Sequence, residues 1–445
     1  MKFKIGKNTT AFIFIVAFCL LMAAMTLVGF SDSAPEIVFF IYLIGMTIFL
    51  FLASGNALKT PNDKILFFGA FFIKVVYAIY RFPFSEITNP GLGGDAGGFW
   101  RTAIQYYEGN FSRVYTPFPY FLNFEFHIFG KNVLCCCLTN IALSMLMVLL
   151  VMQVLNKHEV YGKGRFWAVL IAAFLVYGIQ VSNSILRESI YFALITASFY
   201  EYIQYLYSRQ QLRIYMAVVL MIPVLMLHIG YFPIVGVYII DIFLNEKVKS
   251  KKDLLNRTVI VVAFIAFIVF ASQFNSVGYL TKGNGIVGII NKISGANSDA
   301  AMGEAGSRYL AGLRITSIPT FILYSPIKWI YFMFSPLPTN WRGITDIAAF
   351  ILDGCVHFIC IWMTIKCLRM LKRNNQNGNL SVIIRVVRTG LWAVILCGFV
   401  FGLGTGTAGT AIRHRDVMIG IEAILISLSI FFRSRTLTDY VFEEN

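Results

Sequence analysis

The chain has 445 residues, 58% of them hydrophobic and only 13% charged, with a mean hydropathy of +0.72. A soluble protein carries about 25% charged residues, so this composition excludes an ordinary soluble enzyme. The formal charge of +15 does not point to nucleic acid either, because the basic residues sit in short segments between apolar runs, as the positive-inside rule predicts.

The N-terminus, MKFKIGK followed by an apolar run from Ala11, resembles a signal peptide. That run is too long for an ordinary signal core and lacks a small-x-small exit, so it reads as a retained first helix. Apolar runs near 11–30, 36–53, 65–80, 132–155, 166–180 and 189–207 predict six spanning helices. Lys2, Lys4 and Lys7 precede the first; Lys59 and Lys64 follow the second, Lys157, Lys163 and Arg165 the fourth, and Arg209 and Arg213 the sixth. Every second linker is basic, which predicts a cytoplasmic N-terminus. The segment 81–131 then becomes an outer loop.

The run 214–243 is long for one helix and is followed by the basic linker NEKVKSKKDLLNR. Gly230 and Pro233 interrupt helices. A broken helix pair turning near His228 keeps that linker cytoplasmic. A span at 258–276 leads to a polar, Gly-rich loop, 277–314. The apolar stretch after it is cut by Pro319, Pro326, Pro336 and Pro338. It is expected to form a re-entrant pair of half-helices near 315–345, a geometry tolerated in a bilayer only where it is buried or lines a cavity. Spans near 346–366, 389–405 and 416–432 complete about twelve transmembrane helices, and Arg433 and Arg435 place the C-terminus inside. The expected fold is therefore an all-α, polytopic integral membrane protein, with 1–445 as a single transmembrane domain. The eight cysteines, Cys135, Cys136 and Cys137 among them, show no zinc spacing and no disulfide framework, and read as packing residues.

In this topology the chemically capable residues fall on the outer face. GGDAGGFWR, 93–101, carries Asp95 and Arg101; SILRES carries Arg187; LHIGYFP carries His228; GSRYL carries Arg308; Arg342 ends the re-entrant segment; RHRD carries Arg413, His414 and Arg415. Guanidinium groups bind phosphate as a planar fork and stay charged, which suits a pyrophosphate held at headgroup level. Phe99, Trp100, Tyr106, Tyr107, Tyr115 and Tyr120 could stack on sugar rings. Plainer readings exist for each. Asp95 could cap a helix starting at Ala96, His228 could be a structural histidine, and the arginines could snorkel to headgroups. His127, His158 and His357 stand isolated and receive no role. No acidic cluster or HExxH pattern suggests a metal site, and no cofactor is expected.

GGDAGGFW, SILRES, LHIGYFP, GSRYL, FSPLP and GTAIRHRD, in that order over residues 93 to 416, resemble the bacterial O-antigen and capsule repeat-unit polymerases (Wzy-type), within the wider set of GT-C-type membrane glycosyltransferases. The resemblance implies polymerisation of undecaprenyl-pyrophosphate-linked oligosaccharide units at the outer face of the bacterial inner membrane. It implies pyrophosphate contacts from Arg187, Arg308, Arg413 and Arg415, and a role beside a chain-length regulator and a flippase. Asp95 and His228 are the candidate bases; in GT-C transferases the outer-loop aspartate follows the first helix, whereas Asp95 follows the third. The alternatives are a GT-C-type transferase adding single sugars from polyprenyl-phosphate donors and, in another class, a lipid-linked oligosaccharide flippase.

Overall fold

In the computed structural model, the described residues are 7–27, 29, 33–110, 116–246, 307–310, 313, 315, 317–375 and 380–434, with parts of 255–266. Helices begin where the sequence supplies caps. Thr60 and Asp63 form a reciprocal capping box ahead of Pro61, Asn132 accepts from the Cys135 amide, and Ser317 pairs with Thr320. Each satisfies amide groups that a helix start leaves without partners.

The chain divides into two compact units, where the sequence reads as one transmembrane domain. The first comprises Met1–Glu159 and Val169–Ala193, the second Val160–Ala168 and Leu194–Asn445. In the first unit, α1 (Lys7–Leu27) packs on α2 (Pro35–Ser54). Both α2 and α3 (Pro61–Arg81) pack against α6 (Val133–Lys157), while α4 (Gly94–Tyr107) lies on α5 (Phe118–Phe129). Helix α6 is the core of this unit. Cys135, Cys136 and Cys137 are buried in it and free, as packing residues should be. Lys74 of α3, also buried, donates to the Ser144 hydroxyl at 2.9 Å. Helices α7 (Lys163–Phe174) and α8 (Val176–Ser182) follow, and α9 (Glu188–Ser208) runs from residues of the first unit into those of the second.

The second unit continues with α10 (Gln211–Leu227) and α11 (Phe232–Asn245), then α12 (Ile318–Phe334) and the short α13 (Ile344–Ala349). A π-turn, Phe350–Gly354, leads into α14 (Cys355–Asn374), followed by α15 (Ser381–Gly404), α16 (Ala408–Arg415) and α17 (Ile419–Ser434). Helix α15 is central, packing on α11, α12, α14 and α17. Its Gly398 and Gly402 face Trp329 and Met333 of α12, and a Cβ at Gly402 would sit 3.1 Å from the Lys328 carbonyl oxygen. Small residues spaced by four allow this close approach of apolar helices.

Among the described residues the chain is all-helical, and its long apolar helices mark it as a multi-pass membrane protein. Among the described residues, six helices are long and apolar enough to cross a membrane, or seven if α7 and α8, bent by 43°, make one span. This falls short of the expected dozen. Helix α3 carries Asp63, Lys64, Lys74 and Arg81. Helices α10, α11 and α12 have only 17, 14 and 17 residues, and most of the expected span at 258–276 lies outside the described residues.

Three local expectations also change. The expected half-helix pair near 315–345 is one helix, α12, with Pro326 inside it. At about 1.5 Å per residue it is about 26 Å long. The expected loop 81–131 is largely helical, holding α4 and α5, because its aromatic residues pack the two helices together. The break at His228 is present. His228 is extended (φ −158°), and a 3-10 turn, Ile229–Tyr231, joins α10 to α11. Most of the expected loop 277–314 lies outside the described residues.

Candidate functional site

The GGDAGGFWR stretch starts a helix, one residue-pair earlier than expected. Gly93 is extended and caps α4, so Asp95 lies in the first turn rather than at the cap. Gly94 has φ +56°, a conformation that L side chains adopt at a cost. A Cβ on Gly97 would strike the Leu92 carbonyl oxygen, whereas Gly93 and Gly98 face open space. Two glycines are thus required by the turn, and two leave room beside the carboxylate. Asp95 is exposed at the helix N-terminus, whose dipole favours an anion.

Phe99 follows Asp95 by four residues and so shares its helix face. The Arg187 guanidinium lies over the Phe99 ring, 5.9 Å from its centroid. It also donates to the Thr116 hydroxyl at 3.3 Å. Phe99 in turn meets Phe118 edge-on at 5.1 Å. The first unit therefore sets a carboxylate, an aromatic ring and a guanidinium along one helix face. Arg101 is exposed on the Gly97 side of α4. Trp100 and Tyr106 are buried, at 3% and 2% exposure, against Phe126 and Tyr120. They hold α4 on α5, so they are not sugar platforms. Tyr120 does present a face, at 47% exposure. Tyr115 lies outside the described residues.

The other candidates belong to the second unit. The His228 ring accepts the Gly230 amide through Nδ1 at 3.1 Å. It lies 4.9 Å from the ring of His414 and 4.9 Å from that of Phe401. The Tyr231 hydroxyl donates to the His414 carbonyl oxygen at 3.2 Å. His228 and His414 are thus brought together, from residues 186 positions apart in sequence (414 − 228). The segment carrying Arg308 pairs with the backbone just before α16. The Tyr309 amide donates to Gly406, the Ala408 amide to Ser307, and Arg308 bridges Thr407. Arg308 itself is exposed, and Arg413 is half-buried on α16.

Two of the expected phosphate contacts are otherwise engaged. Arg342 donates from Nε and Nη2 to the Asp346 carboxylate at 3.1 and 3.2 Å. Arg415 is fully buried and gives Nε (2.7 Å) and Nη2 to Asp353, and Nη1 to the Phe332 carbonyl at 3.0 Å. A guanidinium held in this way offers no solvent-facing edge to a pyrophosphate.

The sequence matches no protein-family model, and no curated protein or solved structure is found to be similar.

Two buried clusters escaped the sequence reading. Asp241 of α11 accepts from Arg385 at 2.7 and 2.8 Å, from Arg388 at 2.6 Å and from Tyr202 at 2.5 Å. Neighbouring Glu246 accepts from Arg385 at 2.9 Å, Tyr205 at 2.6 Å, and Arg209. This network is well supplied with donors and fastens α9, α11 and α15. The second cluster surrounds His357, which had looked isolated. Nδ1 lies 2.6 Å from Glu422 Oε2, and Nε2 lies 3.1 Å from Asp416 Oδ1 and 3.6 Å from Asp353 Oδ1. Asp353, His357 and Asp416 together offer ligand atoms suited to a metal ion. Asp353 and His357 are four apart inside an apolar run. Such a buried pair in a membrane helix is itself a functional signal, and the sequence carried it. Its partners in α16–α17 are more than fifty residues away.

Proposed function

We propose that this protein polymerises oligosaccharide repeat units carried on undecaprenyl pyrophosphate, at the outer face of the bacterial inner membrane. In this reading both termini are cytoplasmic, following the basic linkers, and a flippase and a chain-length regulator work beside it. The observation that supports the reading is the α4 face. It presents Asp95 on open, glycine-flanked backbone, one helical turn from Phe99 and the Arg187 guanidinium that covers it. Glycosyl transfer asks for a base at the acceptor hydroxyl and a cation at the departing pyrophosphate. Asp95 takes the hydroxyl proton as the new C–O bond forms at the anomeric carbon. The bond from that carbon to pyrophosphate breaks, and the negative charge leaves on the lipid, near Arg187. In the second unit, Arg308, Arg413, His228 and His414 are further candidate contacts for glycan or phosphate. Adding one sugar from a polyprenyl-phosphate donor uses the same groups and would produce no ladder of repeats.

The buried ionisable set in α14–α17 favours a second reading as a lipid-linked oligosaccharide flippase, since transporters place carboxylates and histidines inside the bundle. Gene deletion separates the two readings. Loss of a polymerase leaves single repeat units on lipid at the outer leaflet, with no polymer. Loss of a flippase leaves them at the inner leaflet. Complementation with Asp95→Asn, checked for normal protein level, tests the base. A full polymer ladder from that variant would remove Asp95 from the role.

A further inference from the structure

We propose that Asp353, His357 and Asp416 bind a divalent transition-metal ion inside the second unit, with zinc the best match to the donors. The proposal stands apart from the polymerase reading and rests on geometry and on charge.

Asp353 lies on the π-turn, a backbone irregularity frequent at functional sites. His357 is one helical turn later on α14, and Asp416 begins the 3-10 turn between α16 and α17. One ligand atom from each lies within 4.8 Å of the others. The Nε2 atom of His357 is 3.1 Å from Asp416 Oδ1 and 3.6 Å from Asp353 Oδ1. Two ligands about 2.1 Å from a tetrahedral zinc stand about 3.4 Å apart, so these separations need little adjustment. On its other side, His357 Nδ1 lies 2.6 Å from Glu422 Oε2. A metal-bound imidazole commonly gives its second N–H to a carboxylate in this way, which fixes the tautomer and aims the other nitrogen at the ion. The mixed nitrogen and carboxylate set suits zinc rather than calcium or magnesium.

The charge count makes the same demand. Asp353, Asp416 and Glu422 are all buried, and Arg415 is the guanidinium that pairs with Asp353. Three carboxylates less one guanidinium leave two negative charges around the imidazole, before any proton or ion is added. With the carboxylates ionised, Asp353 Oδ2, Asp416 Oδ2 and Glu422 Oε1 are buried and have no hydrogen-bond donor among the described residues. Asp241 shows how this fold treats a buried carboxylate when no ion is needed, with two arginines and a tyrosine bonded to it. A divalent cation on the Nε2 side of His357 would cancel the remaining charge and engage Asp353 and Asp416, with Glu422 on the far side of the ring. It would also tie α14 to the start of α17. Two bound protons would cancel the same charge, and the experiment separates these cases.

The full-length protein, purified in detergent through a histidine-free tag, is assayed for metal by mass spectrometry. It is also prepared from cells grown with cobalt in place of zinc and its visible spectrum recorded. The expected result is about one ion per chain and cobalt ligand-field bands. Both should be lost in Asp416→Asn and His357→Gln protein that still elutes as a single folded species. Folded wild-type protein with far less than one ion per chain and no cobalt bands overturns the proposal. So does a folded His357→Gln variant that keeps its metal in full. If both variants fail to fold, the wild-type stoichiometry and cobalt spectrum still decide the question.

Discussion

Arg187 lies over the ring of Phe99, 5.9 Å from its centroid, and so is held beside the helix face that carries Asp95. The aromatic ring and the Thr116 hydroxyl, which accepts from Nη1 at 3.3 Å, together orient the guanidinium. Cation–π contacts of this kind contribute about 0.5–1 kcal/mol at exposed sites. Arg187→Lys keeps the charge but loses the fork and the stacking. Polymer yield should drop about tenfold, read as ladder intensity at equal protein level, and Arg187→Ala should drop it further.

Asp95→Asn removes the proposed base and keeps the side-chain volume. General-base loss typically costs about 10² to 10⁴ in rate, so long chains should vanish in a strain complemented with this variant. Thermal stability in detergent should stay within a degree or two, because Asp95 is exposed and substitutions at exposed positions usually change stability by less than about 0.5 kcal/mol.

The two kinds of glycine in the motif should separate cleanly. Gly97→Ala places a methyl against the Leu92 carbonyl oxygen and should cost about 1–3 kcal/mol, as overpacked sites do. Gly98→Ala meets nothing within 4 Å and should leave stability and protein level unchanged. Any loss of polymer in the second variant then reports crowding of the ligand rather than of the fold.

Trp100→Ala empties a buried contact with Phe126 and should destabilise the first unit by about 3–5 kcal/mol, visible as lower melting temperature and lower yield. Tyr120→Ala removes a half-exposed ring. It should affect glycan binding more than folding, read as chain-length distribution against melting temperature.

Asp241→Asn should destabilise the second unit more than any surface charge change. Arg385 and Arg388 both donate to this carboxylate, and breaking a buried pair from one side costs about 3–5 kcal/mol. The double variant Asp241→Asn with Arg385→Leu should recover part of that loss in a melting experiment, because the buried Arg385 charge is gone and only the more exposed Arg388 is left without this carboxylate.

Much of the helical framework was legible from hydropathy, and the break at His228 followed from Gly230, Pro233 and the placement of basic linkers. Helix lengths and re-entry were less legible. Prolines mark where a backbone amide is missing, but Pro326 sits inside an uninterrupted α12, which packs on α15. In the candidate site, Asp95 and its glycines could be read locally, since their reasons lie within ten residues. The fates of Arg415 and His357 could not. Arg415 looked like the outer RHR cluster until the fold turned it inward onto Asp353, and His357 gained Asp416 and Glu422 from a segment about sixty residues away, with only Asp353 close in sequence.

The division of the chain also has a consequence for its biogenesis. Residues 160–168 belong with the second unit, yet the next stretch, 169–193, returns to the first. The backbone of Gly164 lies against Ser427 of the last helix. A ribosome therefore completes the first unit only after delivering a short stretch whose neighbours have not been synthesised. That stretch must wait for its neighbours until α17 has been made. Truncation before the last helix would strand it, and such fragments should be substrates for membrane quality control even though their first unit is entire.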